Sequence, residues 1–184
     1  MSYIPLKENL PGITGLLDYR LDTALPIRQL TQILLRGEST LTEGERELIA
    51  AVTSEGNGCR FCTAAHTAAA DLYLGDPTIA AAAKKDIQAA PLSSKIKALL
   101  VIARACQKNG KLVTKEMVAA ARREGATDRE IHDTVLITAL FSLYNRYVDG
   151  LNTLTPEDPA FYDRLAHILQ DKGYLPSPDR YKDL

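Results

Sequence analysis

The chain has 184 residues, of which 46% are hydrophobic and 24% charged; these values are typical of globular proteins and exclude disordered and fibrous classes. A chain of this length buries roughly 70% of its unfolded surface, so we expect a single domain over 1–184. The 22 Lys and Arg residues against 23 Asp and Glu residues give a net charge of −1, which argues against a nucleic-acid partner. The longest apolar run, 98–103, is far shorter than the ~18 residues of a membrane span.

The start of the chain and its three cysteines bear on its compartment. Residues 1–7 lack the basic start and apolar core of a signal peptide, so we expect a cytoplasmic protein. Three cysteines are too few, and odd in number, for a secreted disulfide framework. In a reducing compartment, two close cysteines indicate redox chemistry or metal binding.

Helix signals dominate from Leu10 onward, and we predict an all-α fold. Residues 42–45 form a capping box, Thr-x-x-Glu, ahead of apolar positions at helical spacing. Asp-Pro at 76–77 predicts a helix start with proline in its first turn, and Thr-Pro-Glu at 155–157 predicts the same. Apolar residues recur at helical spacing through 92–105. No segment shows the sustained alternation that strands would need.

A second capping box at 127–130 predicts another helix start. We expect one stripe of this helix to carry Ile131, Val135, Thr138, Ala139 and Ser142. The proline-bearing, polar ends near 1–11 and 176–184 are interpreted as extended arms. Such arms often wrap a neighbouring subunit, although frayed termini are the commoner explanation.

The most informative residues are two cysteines and a histidine that follow a Gly-Asn-Gly segment at 56–58. The glycines must interrupt one helix, and Asn57 is expected to cap the next. Cys59 then lies in the first turn, with Cys62 three residues later and His66 a further four. At ~100° per residue, the three side chains fall within about 60° around the helix. The partial positive charge of the helix N-terminus favours thiolate over thiol.

Glu47 lies three turns before the end of the preceding helix. If the two helices pack antiparallel, its carboxylate can reach His66. A carboxylate behind an imidazole fixes its tautomer and stabilises its charged form, and the imidazole can act as base for a thiol. The predicted reaction is thiolate attack on a peroxide, followed by condensation of the resulting sulfenic acid with the second cysteine to give a disulfide.

Other readings of the Cys-x-x-Cys pair remain open. Zinc is one, because Cys59, Cys62 and His66 supply three candidate ligands; a fourth is missing nearby unless Glu47 serves. A packing role for the cysteines is another. A c-type haem would need histidine directly after the second cysteine, where Thr63 stands, and a thioredoxin-like site would need a βαβ pattern. We predict no metal and no cofactor.

At these residues the sequence resembles the AhpD-like superfamily, also called the carboxymuconolactone decarboxylase-like family. The family pattern is a glutamate, eleven intervening residues, Cys-x-x-Cys, three residues and a histidine. Glu47, Cys59, Cys62 and His66 meet this pattern. The stretch 141–153 looks like the peroxidase-related branch of the superfamily.

The resemblance implies an all-helical AhpD-like bundle, homo-oligomeric assembly and hydroperoxide reduction with an antioxidant role. It also implies a dithiol or lipoyl-type reductant and, by analogy, a peroxiredoxin partner. Some members carry a histidine between the cysteines, whereas Arg60 and Phe61 stand here. True decarboxylases of the superfamily generally lack the cysteine pair, so a non-redox decarboxylase is an alternative in which the cysteines are incidental.

Within the pair, we assign Cys62 as the peroxide-attacking thiol and Cys59 as the resolving one. Cys62 lies one turn before His66, and the resemblance places the attacking role on the second cysteine. The helix dipole favours Cys59 instead, but its contribution of typically 0.3–1 kcal/mol is smaller than that of a well-placed base. Cys106, among aliphatic neighbours, is predicted to be a buried structural thiol.

Among the remaining polar residues, two histidines carry no sign of a site, and we interpret His132 and His167 as surface or interface residues. Four further residues have both a site interpretation and a simple structural one, namely Glu55, Asn145, Arg146 and Asp149.

Overall fold

The computed structural model describes residues 2–177, and every regular element in this range is helical. The all-α prediction is therefore confirmed for the described chain. The elements in order are α1 (Ile13–Tyr19), α2 (Leu21–Arg36), α3 (Glu43–Gly56), α4 (Arg60–Leu74), α5 (Pro77–Lys85), α6 (Ser94–Lys108), a 3₁₀ turn (Gly110–Leu112), α7 (Lys115–Arg123), α8 (Asp128–Gly150) and α9 (Pro159–Lys172). No helix within residues 2–177 is long and apolar enough to cross a membrane.

Both predicted capping boxes are present. The Thr42 hydroxyl accepts from the Glu45 backbone N–H, while the Glu45 carboxylate accepts from the Thr42 N–H. Thr127 and Glu130 repeat this exchange at the start of α8. These bonds satisfy backbone donors that a helix start otherwise leaves unpaired.

The start of α9 differs from the prediction. Residues 155–157 belong to no regular element, and the helix begins three residues later than predicted, at Pro159. Asp158 is the N-cap, because its carboxylate accepts from the Ala160 N–H, and Pro159 occupies the first helical position. The capping residue and the first-turn proline of α9 are therefore Asp158 and Pro159 rather than Thr155 and Pro156.

Helix α3 lies at the centre of the molecule. Its residues 46–54 are all buried, which is the pattern of a helix enclosed on every side. α3 and α4 form an antiparallel hairpin, since Glu47 near the start of α3 contacts His66 in α4. Helices α6, α8 and α9 pack around this hairpin.

The buried face of α8 is rotated from the predicted stripe. Ile131 and Thr138 are buried, but Ala139 is exposed. The buried face includes Ile137, Phe141, Tyr144 and Asn145. Aromatic side chains and an amide on this face reach the cysteine-bearing helix, as described below.

The described part of the first predicted arm, residues 2–11, contacts its own chain, with the Tyr3 N–H donating to the Leu151 carbonyl over 3.0 Å. The other predicted arm, 176–184, lies outside the described residues from 178 onward. Wrapping of a neighbouring subunit by either arm stays a prediction, as does the single-domain organisation over 1–184.

Candidate active site

A tight turn joins α3 to α4 and sets the positions of both cysteines. α3 ends at Gly56, and Gly58 has a φ of +76°, a left-handed conformation that favours glycine. The prediction that Asn57 caps α4 is wrong: Asn57 follows the end of α3 in a right-handed conformation, and Cys59 is the N-cap of α4. Cys62 is therefore the third residue of the helix, so both thiols lie at its N-terminus.

Both thiols are free and buried, Cys59 with 0% and Cys62 with 2% of its surface exposed. A hydrogen bond between the two side chains, followed by burial, raises the pKa of Cys62 well above its usual range. A hydrogen bond from Asn145 acts in the opposite direction. Cys62 is thus a neutral thiol at pH 7, and it needs a base to become a nucleophile.

A small cavity of about 50 Å³ adjoins Cys62 and His66. Its walls are mostly apolar and include Phe61, Phe141 and Leu165. The lining includes Cys62 but not Cys59. A space of this size holds one or two water-sized groups, which suits the two oxygens of a hydroperoxide.

The imidazole of His66 is fixed by a buried carboxylate. Its Nδ1 lies 2.6 Å from Oε2 of Glu47, whose side chain is fully buried. The ring packs edge-on against Phe141, with the ring centres 4.4 Å apart. Because an ionised carboxylate only accepts, Nδ1 is the donor and Nε2 is left to accept a proton.

The other oxygen of Glu47 has two partners. Arg36 Nη2 forms an ion pair with Oε1 at 2.6 Å, and the Tyr174 hydroxyl donates to the same oxygen over 2.7 Å. Burial raises the pKa of Glu47, but the charge and hydrogen bond of His66, the charge of Arg36 and the Tyr174 hydroxyl outweigh it and lower the pKa to about 2. Glu47 is therefore ionised at neutral pH.

Sequence reasoning did not single out Arg36 or Tyr174. Tyr174 lies 127 residues after Glu47, on the segment that follows α9. The Gln32 side chain accepts from the Tyr174 backbone N–H over 2.6 Å and so fixes this segment. Gly173 has a φ of +59°, and a Cβ there would approach the Gln32 side chain. The glycine directly before Tyr174 is the only local signal of this arrangement that we find in the sequence.

The remaining predicted polar residues lie in different surroundings. Glu55 is paired with Arg104 and lines a separate open groove rather than the cavity. Arg146 is exposed and donates to the Ser142 carbonyl. Asn145, in contrast, is buried and contacts Cys62.

Three further residues stand apart from the cavity. Cys106 is half-buried rather than buried, so the prediction of a buried structural thiol is wrong. It occupies the partly exposed face of α6, and partial burial raises its pKa. His132 and His167 are exposed, as a surface position requires.

The zinc interpretation gains no support from the donor geometry. Within residues 2–177, no three or more His, Cys, Asp and Glu side chains are arranged to hold a metal ion. Nδ1 of His66 is already bound to Glu47. Both oxygens of Glu47 also have partners already, so this carboxylate is not free to serve as the fourth ligand.

Comparisons with known proteins bear on the fold and on the family of the chain. The carboxymuconolactone decarboxylase family model matches residues 25–71, a range that contains Glu47, Cys59, Cys62 and His66. The AhpD-core structure of an uncharacterized peroxidase-related protein from Ralstonia eutropha JMP134 aligns with a TM-score of 0.79 and 24% identity, covering 90% of this chain and 96% of that chain. An uncharacterized peroxidase-related protein from Silicibacter sp. TM1040 aligns with a TM-score of 0.75 and 26% identity, covering 83% and 78%. No curated protein matches the chain.

The matched family model and the aligned structures support assignment of the chain to the AhpD-like superfamily. The AhpD-like fold places the family's glutamate and histidine on facing helices of one hairpin, at hydrogen-bond distance. Arg36 lies inside the matched range, whereas Tyr174 and Asn145 lie beyond it.

We expect the AhpD-like chain to form a reversible disulfide between Cys59 and Cys62, with Cys106 outside it. The two thiols hydrogen-bond each other across one helical turn, whereas Cys106 is on α6. Peptide mapping of oxidised and dithiol-reduced protein checks this. Cys106→Ser should leave the disulfide unchanged. A species linked only through Cys106 would contradict the expectation.

Tyr174→Phe should destabilise the fold at neutral pH by roughly 1.5–3 kcal/mol, because it removes a donor to a buried carboxylate. The pKa of folded Glu47, about 2, is below the ordinary 4.5, so its ionisation stabilises the fold above pH 4.5, and this contribution is lost as the pH falls toward 2. Tyr174→Phe raises the folded pKa, and the stability difference should therefore shrink over the same interval. Urea unfolding at pH 7, 5 and 3 measures it.

The matched control is Tyr73→Phe. The Tyr73 ring also packs on Arg36, with its centre 4.7 Å from the guanidinium carbon, but its hydroxyl bonds Glu43. This variant should show a smaller loss. An equal loss in both variants at every pH would contradict the role of the Tyr174 hydroxyl.

Proposed function

We propose that this protein reduces hydroperoxides at Cys62, with Cys59 as resolving thiol and His66 as base. The observation that carries the proposal is that Cys62 shares its small cavity with an imidazole whose Nδ1 is bound to an ionised, buried carboxylate. A base at a buried neutral thiol raises the reactive thiolate fraction. The arrangement is the one that peroxide reduction by a thiol requires.

In the proposed first step, His66 Nε2 takes the proton of the Cys62 thiol. The thiolate attacks the distal oxygen of the hydroperoxide, and the O–O bond breaks. The alkoxide leaves as an alcohol after taking the proton from the imidazolium, and Cys62 becomes a sulfenic acid. Glu47 stabilises the charged imidazolium between the two proton transfers.

In the second step, Cys59 attacks the sulfur of the sulfenic acid. The S–O bond breaks, water leaves, and the disulfide between Cys59 and Cys62 forms. An external dithiol then supplies two electrons and two protons and becomes a disulfide itself. We propose a dithiol or lipoyl-type molecule in this role, with a peroxiredoxin as a possible protein partner. The antioxidant role, cytoplasmic location and homo-oligomeric assembly remain proposals of the same kind.

A decarboxylase-type reaction is the second candidate, and the observation that favours it is the name of the matched family. In such an enzyme the two thiols would be incidental. The size of the cavity weighs against this candidate, because about 50 Å³ is small for a lactone carboxylate.

The deciding experiment is peroxide consumption with dihydrolipoamide as the reductant. We expect turnover by the native protein and background rates in the Cys59→Ser, Cys62→Ser double variant. Cys106→Ser is the matched control and should keep native turnover. Peroxide consumption that survives the double replacement would rule out the proposed chemistry.

Trapping of sulfenic acid distinguishes the two thiols. After peroxide treatment, the Cys59→Ser protein should carry a sulfenic acid label at Cys62, because His66 and the cavity adjoin that sulfur. Cys62→Ser should show little label. Mass spectrometry of the labelled peptides is the measurement, and label found only on Cys62→Ser would reverse the assignment.

A further inference from the structure

Three side-chain amides form a chain of hydrogen bonds that ends at the reactive sulfur. Gln107 Nε2 donates to Asn57 Oδ1 over 2.8 Å, and Asn57 Nδ2 donates to Asn145 Oδ1 over 2.8 Å. These residues come from α6, the turn after α3, and α8. This series of hydrogen bonds therefore joins three helices beside the N-terminus of α4.

The last amide of the chain points its N–H groups at two acceptors. Asn145 Nδ2 donates to the Ser54 hydroxyl over 3.0 Å, and a hydrogen bond from the Asn145 side chain lowers the pKa of Cys62. Asn145 and Ser54 are buried, with 1% and 0% of their surfaces exposed. The carbonyl oxygen of Asn145 accepts from Asn57, and its amide nitrogen is the atom that can donate to the sulfur.

An N–H donor favours a charged acceptor over a neutral one. The Cys62 sulfur gains negative charge when it becomes the attacking thiolate. We propose that Asn145 is a catalytic residue whose amide stabilises the Cys62 thiolate, and that Asn57 and Gln107 are positioning residues that act through it. This inference rests on the proposed function, because it gives the thiolate its role in peroxide attack.

Other charged or titratable groups also face Cys62. Cys59 and His66 do so from α4, Asp149 from α8 and Tyr162 from α9. Asp149 disfavours the thiolate by its charge. Arg28 of α2 lines the same cavity as Cys62. The Asn145 amide offsets the effect of the acidic neighbour, because its hydrogen bond lowers the pKa of Cys62.

The test measures the ionisation of Cys62 directly, without peroxide. In the full-length Cys59→Ser, Cys106→Ser protein, Cys62 is the only thiol, and its rate of alkylation by iodoacetamide against pH gives its pKa. Asn145→Ala in this background should raise that pKa by about one unit, which lowers the alkylation rate at pH 7 about tenfold. Arg146→Lys, a change at the exposed neighbouring residue, should leave the pKa unchanged.

Gln107→Glu is a second, isosteric variant at a half-buried position. A carboxylate at 107 can only accept, so Asn57 must turn its amide nitrogen toward it. Asn145 then turns as well and presents its carbonyl oxygen to Cys62. The donor–acceptor direction of all the hydrogen bonds between these amides reverses. We therefore expect a rise of about one unit in the pKa of Cys62.

A double-variant cycle separates this reversal from a charge effect through space. If Gln107 acts through Asn145, then Gln107→Glu adds no shift in the Asn145→Ala background. A shift of equal size in both backgrounds overturns the positioning role of Gln107. An unchanged pKa in folded Asn145→Ala overturns the catalytic role of Asn145, and if that variant does not fold, an unchanged pKa in Gln107→Glu does so.

The two proposals fail in different ways. Expected pKa shifts in a protein that consumes no peroxide overturn the proposed function and leave thiolate stabilisation by Asn145 standing. Peroxide turnover that depends on Cys62, combined with unshifted pKa values, overturns the role of Asn145 alone.

Discussion

The carboxylate of Glu47, held ionised inside the helical core, is the interaction around which the site is built. A buried charge is stable only when its partners replace the water it has lost. Here Oε2 contacts His66, while Arg36 and Tyr174 both contact Oε1. These partners come from α2, α4 and the segment after α9, so one carboxylate ties three distant parts of the chain to α3.

This arrangement determines what Glu47 can contribute chemically. A carboxylate with a pKa of about 2 does not keep a proton at neutral pH. Its effect is therefore to orient the imidazole and to stabilise it when charged; in the proposed mechanism the proton moves between Cys62 and His66. Glu47 also contributes to stability. Removing its carboxylate leaves Arg36, whose side chain is only 5% exposed, with only the more distant Glu43 carboxylate at 4.0 Å. Isosteric changes around it separate the two effects better than truncation of Glu47.

The sequence predicted those features of the site that depend on local spacing. The Cys-x-x-Cys pair, the histidine one turn later and the glutamate on the preceding helix all lie within one helical hairpin, so their proximity follows from helix geometry and a tight turn. The contact between Arg36 and Glu47 depends on how α2 packs, so spacing alone does not predict it. Contacts between Glu47 and Tyr174, or Ser54 and Asn145, join residues 127 and 91 positions apart, and spacing along the chain carries no information about them.

The sequence prediction placed Asn57 at the wrong helix end because asparagine is common at both ends of helices. Its side chain instead contacts α8.

The difference between the two thiols follows from what surrounds each sulfur rather than from the helix dipole. Cys59 is the N-cap and Cys62 the third residue of α4. Both therefore lie in the first turn, where the helix dipole acts most strongly. The dipole for this reason favours the two thiolates to a similar extent. The other influences converge on Cys62: the cavity and the imidazole lie on one side of it, and the Asn145 amide also bonds it. Cys59 is fully buried beside it and does not line the cavity, which leaves a peroxide no direct approach to that sulfur. This position fits the proposed role of Cys59 as the resolving thiol, which reacts only with Cys62.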